Sequence, residues 1–253
     1  MVESARGMII ASLIGDAFTW LQDPGDAFAG GDISQRIVEH LGMVGISVGA
    51  ALIPALAAGL AIGHTRRAEF VTVTVANLGR AIPSFAILAF FFPITLKLGL
   101  GLSNWPAIIA LFFLAIPPIL TNAYVGVREV DPDVTEAARG MGMSGWQILR
   151  RVELPIAGPL IVAGIRTSAV QVVATATLAA LVAGGGLGRF IVDGFALNEY
   201  EVVLGGAILV ALLAIATEVV FSVIEKVVSP GGLRRKTGFA PVYTDMAQTS
   251  EVG

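Results

Sequence analysis

"EAARGMGMSGWQILRRVELP", Glu136 to Pro155, interrupts a chain that is otherwise largely fat-soluble. The segment is charged, punctuated by Gly140, Gly142 and Gly145, and closed by Pro155. Just upstream, Asp131 can cap the free N–H groups of a helix, and Pro132 suits its first position. Ala137 and Ala138 are strong helix formers, and Glu136 and Arg139, three apart, can pair weakly. Gly140 and Gly142 then end the helix or bend it sharply. Ser144 and Gln147 have the S-x-x-Q spacing of a capping box, which opens a second helix. Its apolar edge is Trp146, Ile148, Leu149 and Val152, beside Arg150 and Arg151. Pro155 disfavours helix at Leu154, so this second element is expected to stop there. The sequence therefore predicts an amphipathic helix, a glycine turn and another helix. Two readings fit it: a surface element that anchors a loop at the lipid interface, or a rigid helix offered to the groove of a soluble partner.

What surrounds the insert fixes the solvent. Of 253 residues 55% are hydrophobic and only 14% charged, with a mean hydropathy of +0.82. Soluble domains carry about 25% charged residues, and a soluble core of this size could not hide so much apolar surface, so a bilayer is implied. The net charge of −3 offers no footprint for nucleic acid. With no cysteine, disulfides, thiolate metal sites and cysteine nucleophiles are all excluded. His40 and His64 lie far apart, at the borders of one apolar run, which argues against a histidine ligand cluster.

A spanning helix needs about 20 apolar residues. Five stretches qualify: 41–62, 70–96 (interrupted at "GRAIPS"), 106–125, 156–182 and 202–228. The earlier run "MIIASLIGDAFTW" contains Asp16 and is too short to cross. It lacks a basic lead and a cleavage site, which leaves an interfacial or re-entrant helix. Positive charge orients the spans. Arg66, Arg67, Arg128, Arg139, Arg150, Arg151, Lys226, Arg234, Arg235 and Lys236 fall in one alternate set of loops. Arg6, Arg36, Lys97 and Arg189 fall in the other, diluted by Asp16, Asp23, Asp26 and Asp32. The first set is expected in the cytoplasm, with the N-terminus outside, the C-terminus inside and the insert cytoplasmic. The expected layout is an extracytoplasmic or interfacial segment 1–40, a membrane domain 41–228 with the loop 128–155, and a Pro/Gly-rich disordered tail 229–253, whose basic cluster can lie on anionic lipid.

Within the spans, Ala51, Ala55, Gly59 and Gly63 recur every fourth residue, the spacing of close helix packing in lipid, either as ordinary bundle packing or as a dimer seam. Pro54 should kink that helix. Ser168, Gln171 and Thr175 fall on one helical face; they serve interhelical hydrogen bonds or line a solute pathway, and Asn122 and Thr121 are similar candidates. Arg80, just before Ile82 and Pro83, either satisfies a carbonyl freed by the proline or snorkels to the border. Arg166 is expected to snorkel, and Glu218 can pair with either arginine. "GGGLG", 184–188, lacks G-K-[ST] and a preceding strand, so it reads as a tight extracellular connection and not a nucleotide loop. Phenylalanines abound, but the Tyr and Trp of an aromatic cage for quaternary ammonium are scarce in the spans. Tight recognition is therefore expected in a separate protein.

The insert resembles the EAA loop of binding-protein-dependent ABC importer permeases, matching at Glu136, Ala137, Ala138, Gly142, Val152, Leu154 and Pro155. The resemblance extends over roughly 41–228 and includes "GRAIPS". "AIPPILTNAYVGVREVDPDVTEAARGMGMSGWQ" and "QVVATATLAALVAGGGLGRFIVDG" are similar to the osmoprotectant branch, which imports glycine betaine, carnitine, choline or proline betaine. Methionine-importer permeases fit "ATATLAA" less well. The resemblance implies an all-α membrane protein of about five transmembrane helices with a cytoplasmic coupling-helix loop, the type I ABC importer permease fold. It implies a multi-pass plasma-membrane subunit that is not an enzyme and holds no cofactor, ATP being bound by a partner ABC ATPase subunit. The other implied partners are a second permease copy or a homologous permease and an extracytoplasmic solute-binding protein. ATPase coupling is then expected at Glu136, Ala137, Ala138, Gly142, Leu154 and Pro155, and a translocation pathway at Arg80, Asn122, Ser168, Gln171 and Thr175. Rival classes are a secondary transporter or channel component, which calls for paired intramembrane carboxylates or inverted repeats, and an intramembrane enzyme, which calls for a nucleophile–base pair or metal ligands at membrane depth. Neither feature set stands out.

Overall fold

The computed structural model describes residues 2–22, 32–67, 81–100 and 102–228, with isolated positions 70, 74 and 79, and side chains from Ser12 onward. These residues form nine α-helices: α1 (Val2–Gln22), α2 (Ile33–Thr65), α3 (Ser84–Lys97), α4 (Trp105–Arg128), α5 (Pro132–Gly140), α6 (Gly145–Ile148), α7 (Leu154–Thr175), α8 (Gly188–Leu197) and α9 (Tyr200–Val228). A π-helical turn, Leu149–Glu153, joins α6 to α7, and a 3-10 stretch, Ala176–Val182, continues α7. No strand occurs among the described residues. Four helical stretches are long and apolar enough to cross a membrane: α2, α4, the continuous run Gly145–Val182, and α9. α3 is apolar but has only 14 residues.

The expected second span is divided as "GRAIPS" suggests. Ala81 is still helical, Ile82 and Pro83 are not, and α3 restarts at Ser84. Most of the first half of that span, Arg80 included, and the tail 229–253 lie outside the described residues. α2 starts two turns earlier than the hydropathy implied. Asp32 caps it, accepting from the Ser34 amide at 3.2 Å and from its hydroxyl at 2.5 Å. These two bonds hold the Asp32 carboxyl below its usual range. Ile33 and Ile37, one turn apart, then pack on the cluster of Leu187 and Phe190, which supplies an apolar face that a window average over polar neighbours obscures. Pro54 stays inside an unbroken helix. At the N-terminus α1 is longer than the apolar run within it. Ala17 is fully buried, and the Trp20 ring meets Phe190 edge-on at 5.2 Å. Trp20 also lies against Gly205, where any side chain would collide with it.

Small residues set the seams. α2 and α4 run parallel: Ser47 donates to the Ile108 carbonyl at 3.2 Å, and a Cβ at Gly59 would stand 2.8 Å from both Ala123 Cβ and the Leu120 oxygen. The every-fourth-residue stripe of α2 is thus consumed inside this subunit, with Ala51, Ala55, Gly59 and Gly63 all buried. α4 and α7 run antiparallel: Ser168 donates to the Ala115 carbonyl at 3.1 Å, Gly164 faces Asn122 and Pro118, and Gly126 faces Ala157. α7 and α9 are antiparallel as well, with Gly158 against Val228. Together these contacts fix direction. Thr65, Arg128, Leu154 and Val228 share one end of the bundle; Ile33, Trp105, Val182 and Tyr200 share the other.

Candidate functional site

The polar insert hangs from the end of the bundle that also carries Arg66, Arg67, Arg128 and Lys226. Asp131 caps α5 by accepting from the Asp133 amide at 2.9 Å, and the Thr135 hydroxyl donates to the Pro132 carbonyl at 2.9 Å. The helix closes with paired bonds, Met143 N–H to the Ala138 carbonyl (3.2 Å) and Gly142 N–H to the Arg139 carbonyl (2.9 Å), with Gly142 at φ +82°. This is a Schellman close, which requires the left-handed conformation at that glycine. Ala138 is buried and holds α5 down, while Glu136, Ala137 and Arg139 are exposed, as are Met141 at 76% and Trp146 at 68%. Glu136 and Arg139 form no ion pair with each other among the described residues. Both arms of the Ser144–Gln147 capping box are present, at 2.8 and 3.4 Å.

One expectation is overturned. The second helix does not stop at Leu154; it passes through the π-turn into α7, so Gly145–Val182 is a single 38-residue run. The Leu154 amide reaches back five residues to the Leu149 carbonyl, and Leu154 stays helical at φ −62°, ψ −44°. The widened turn lets Pro155, which has no N–H to offer, enter in the first turn of α7, where prolines are tolerated. The second half of the insert, from Gly145, is therefore continuous with a membrane-crossing helix.

A contact that sequence spacing cannot reveal ties the insert to α2. The carboxylate of Glu153, whose side chain is only 7% exposed, accepts from Nδ1 of His64 at 2.6 Å. Nε2 of the same ring stands 3.2 Å from where a Cβ on Gly145 would be. At the opposite end, the glycine connection is held amide by amide. Gly185 donates to Asn104 Oδ1 (2.7 Å), Gly186 to Glu39 Oε2 (2.9 Å) and Leu187 to His40 Nδ1 (3.3 Å). His40 Nε2, 2.9 Å from the Val173 carbonyl, is then the protonated nitrogen. Arg36 pairs with Glu39 at 2.8 Å.

The polar residues of the spans are dispersed. Ser168 is fully buried by its bond to α4, Gln171 is exposed, and Thr175 borders a small cavity with Ser84 and Ala107. The Asn122 amide donates to the Pro118 carbonyl of its own helix at 2.8 Å and packs on Gly164. Arg166 is paired with Glu225 at 3.0 Å, though at an angle too poor for a hydrogen bond, and with Glu218 at 3.5 Å. A mostly apolar groove of about 650 Å³ opens between α2, α7 and α9, lined in part by Val48, Gly49, Ala169, Leu213, Thr217 and Phe221.

The family described as "Binding-protein-dependent transport system inner membrane component" matches residues 50–231. The chain is 40% identical over 205 residues to a Bacillus subtilis (strain 168) protein named glycine betaine/carnitine/choline transport system permease protein OpuCB, covering 81% of this chain and 92% of the relative. It is 42% identical over 180 residues to the carnitine transport permease protein OpuCB of Listeria monocytogenes, covering 71% and 80%. An inward-facing structure of the MetNI methionine ABC transporter shares the fold, with a TM-score of 0.68 at 23% identity over 78% of this chain and 96% of that one.

Proposed function

The chain belongs to the family of binding-protein-dependent transport system inner membrane components, and from that premise we propose that it is the permease of an ATP-driven importer of quaternary-ammonium compatible solutes such as glycine betaine, carnitine, choline or proline betaine. Membership makes it a multi-pass membrane subunit of an ABC transporter. The solute class is inferred from relatives that carry those names across most of both chains. Partners follow from the same reading: an ATPase subunit at the insert, a second permease, and a binding protein at the opposite mouth.

One observation carries the coupling role. A short helix with both ends locked by its own caps and Glu136 and Ala137 left exposed, followed by the exposed Met141 and Trp146, stands where the basic residues cluster. Exposed apolar side chains on a rigid support are what a groove on a soluble partner takes up. Leu154 and Pro155 belong to the same device, because they open α7, into which α6 runs through the π-turn without a break. Ions are few inside the spans, and tight recognition is left to the binding protein.

Uptake measured in proteoliposomes tests the proposal. Membranes holding the permease, its ATPase and the binding protein should accumulate labelled glycine betaine or choline only with ATP. Uptake without the ATPase would make the chain a secondary transporter, and ATP-driven uptake of methionine with no betaine uptake would move it to the amino-acid importers.

A further inference from the structure

We infer that His64 is a positioning residue for coupling: with Glu153 it forms a joint that stays closed while the insert moves, so that α2 carries the motion to the opposite mouth. The inference rests on the insert's reading as the ATPase-coupling element. Three observations support it. First, the pair is short and sheltered, at 2.6 Å with side-chain exposures of 21% and 7%. Taking the imidazole away from a carboxylate that deep is strongly destabilising. Second, the imidazole is bonded to Glu153 through Nδ1, while its Nε2 edge faces Gly145, eight residues earlier, 3.2 Å from where a Cβ there would stand. The ring thus lies beside both ends of the stretch formed by α6 and the π-turn, and its one bond to that stretch links it to α2. A side chain at Gly145 would oblige the ring to give way by a few tenths of an ångström. Third, α2 is one unbroken 33-residue helix, close to 50 Å long at about 1.5 Å per residue. Its far end carries Glu39 and His40, which hold the Gly186 and Leu187 amides and the Val173 carbonyl. A single rod thus joins the insert to the loop that closes the opposite end.

The chain has no cysteine, so the joint can be locked directly. In the assembled complex reconstituted with its ATPase and binding protein, His64→Cys/Glu153→Cys bridged by a short bis-thiosulfonate should import glycine betaine within about twofold of the bridged-free double variant, since a joint that never opens loses nothing by being fixed. His64→Ala should still co-purify with the ATPase and hydrolyse ATP, while solute moved per ATP falls about tenfold. His64→Gln, whose amide can still donate to Glu153, should recover most of that ratio. A merely structural role would lower hydrolysis and transport together and leave the ratio intact. Arrest of transport by the bridge, or an unchanged ratio in His64→Ala, overturns the joint; should His64→Ala fail to assemble, the bridged variant decides. Failure of the coupling reading itself shows differently: Gly142→Val would leave ATPase co-purification unaltered.

Discussion

Gly142 illustrates how much a single backbone angle constrains. Its φ of +82° is needed for the Schellman close of α5, yet a Cβ at that position would meet nothing within 4 Å. The glycine is there for conformation and not for space inside this subunit. Gly142→Val should therefore strain the turn by about 1–2 kcal/mol and weaken ATPase co-purification, whereas Gly142→Asn, which enters the left-handed region readily, should retain both. Gly164 is the opposite case. A Cβ there would stand 2.5 Å from Asn122 Cβ and 2.9 Å from the Pro118 oxygen, so the obstacle includes backbone that cannot swing aside. Gly164→Val should force α4 and α7 apart at a cost of about 1–3 kcal/mol, read as a lower melting temperature of the detergent-solubilised protein.

Among the elements, the π-turn Leu149–Glu153 is the most consequential. It holds one residue more per turn than an α-helix and so sets the rotation of α6 relative to α7. Inserting an alanine after Arg151 adds a second residue, which the turn cannot absorb. Every insert residue upstream would then rotate by about 100° against α7, since one residue of an α-helix is a 3.6th of a turn. The expected outcome is a folded permease that has lost ATPase co-purification, with far-ultraviolet helicity unchanged; a retained ATPase would show that the register of the turn is immaterial. This element also marks where sequence reasoning reached and where it stopped. The caps of α5 and α6 were legible because Asp131, Ser144 and Gln147 act within three residues of themselves. The π-turn was not, because the rule that a proline ends the preceding helix assumes α-helical hydrogen bonding. His64–Glu153 and His40–Val173 were hidden for another reason: they join residues 89 and 133 positions apart, and nothing local announces such a pair. The start of α2 was missed because its first two turns are apolar on one face only.

For the whole molecule, direction is the property that unites these contacts. Parallel packing of α2 with α4 and antiparallel packing of α4 with α7 and of α7 with α9 leave two ends, with the insert at one and the glycine connection at the other. The five hydrophobic runs already implied this parity, and the small-residue stripe of α2 already implied close packing; which helix the stripe would meet depended on distant partners. Geometry alone does not say which end faces the cytoplasm; the positive-inside rule makes the insert's end the expected one, because Arg66, Arg67, Arg128, Arg150 and Arg151 lie there, against Arg36 and Arg189 at the other, both of which pair with nearby carboxylates. A chain without native cysteine allows a direct test. In intact cells, Leu102→Cys, from a residue 68% exposed beside the glycine connection, should react with a membrane-impermeant maleimide, and Glu136→Cys should react only after the membrane is opened. The two positions sit on opposite ends of a rigid bundle, so their labelling must be reciprocal. Glu136→Cys labelled from outside would invert the bundle and take the insert out of reach of any cytoplasmic ATPase, and with it the proposed route of energy into transport.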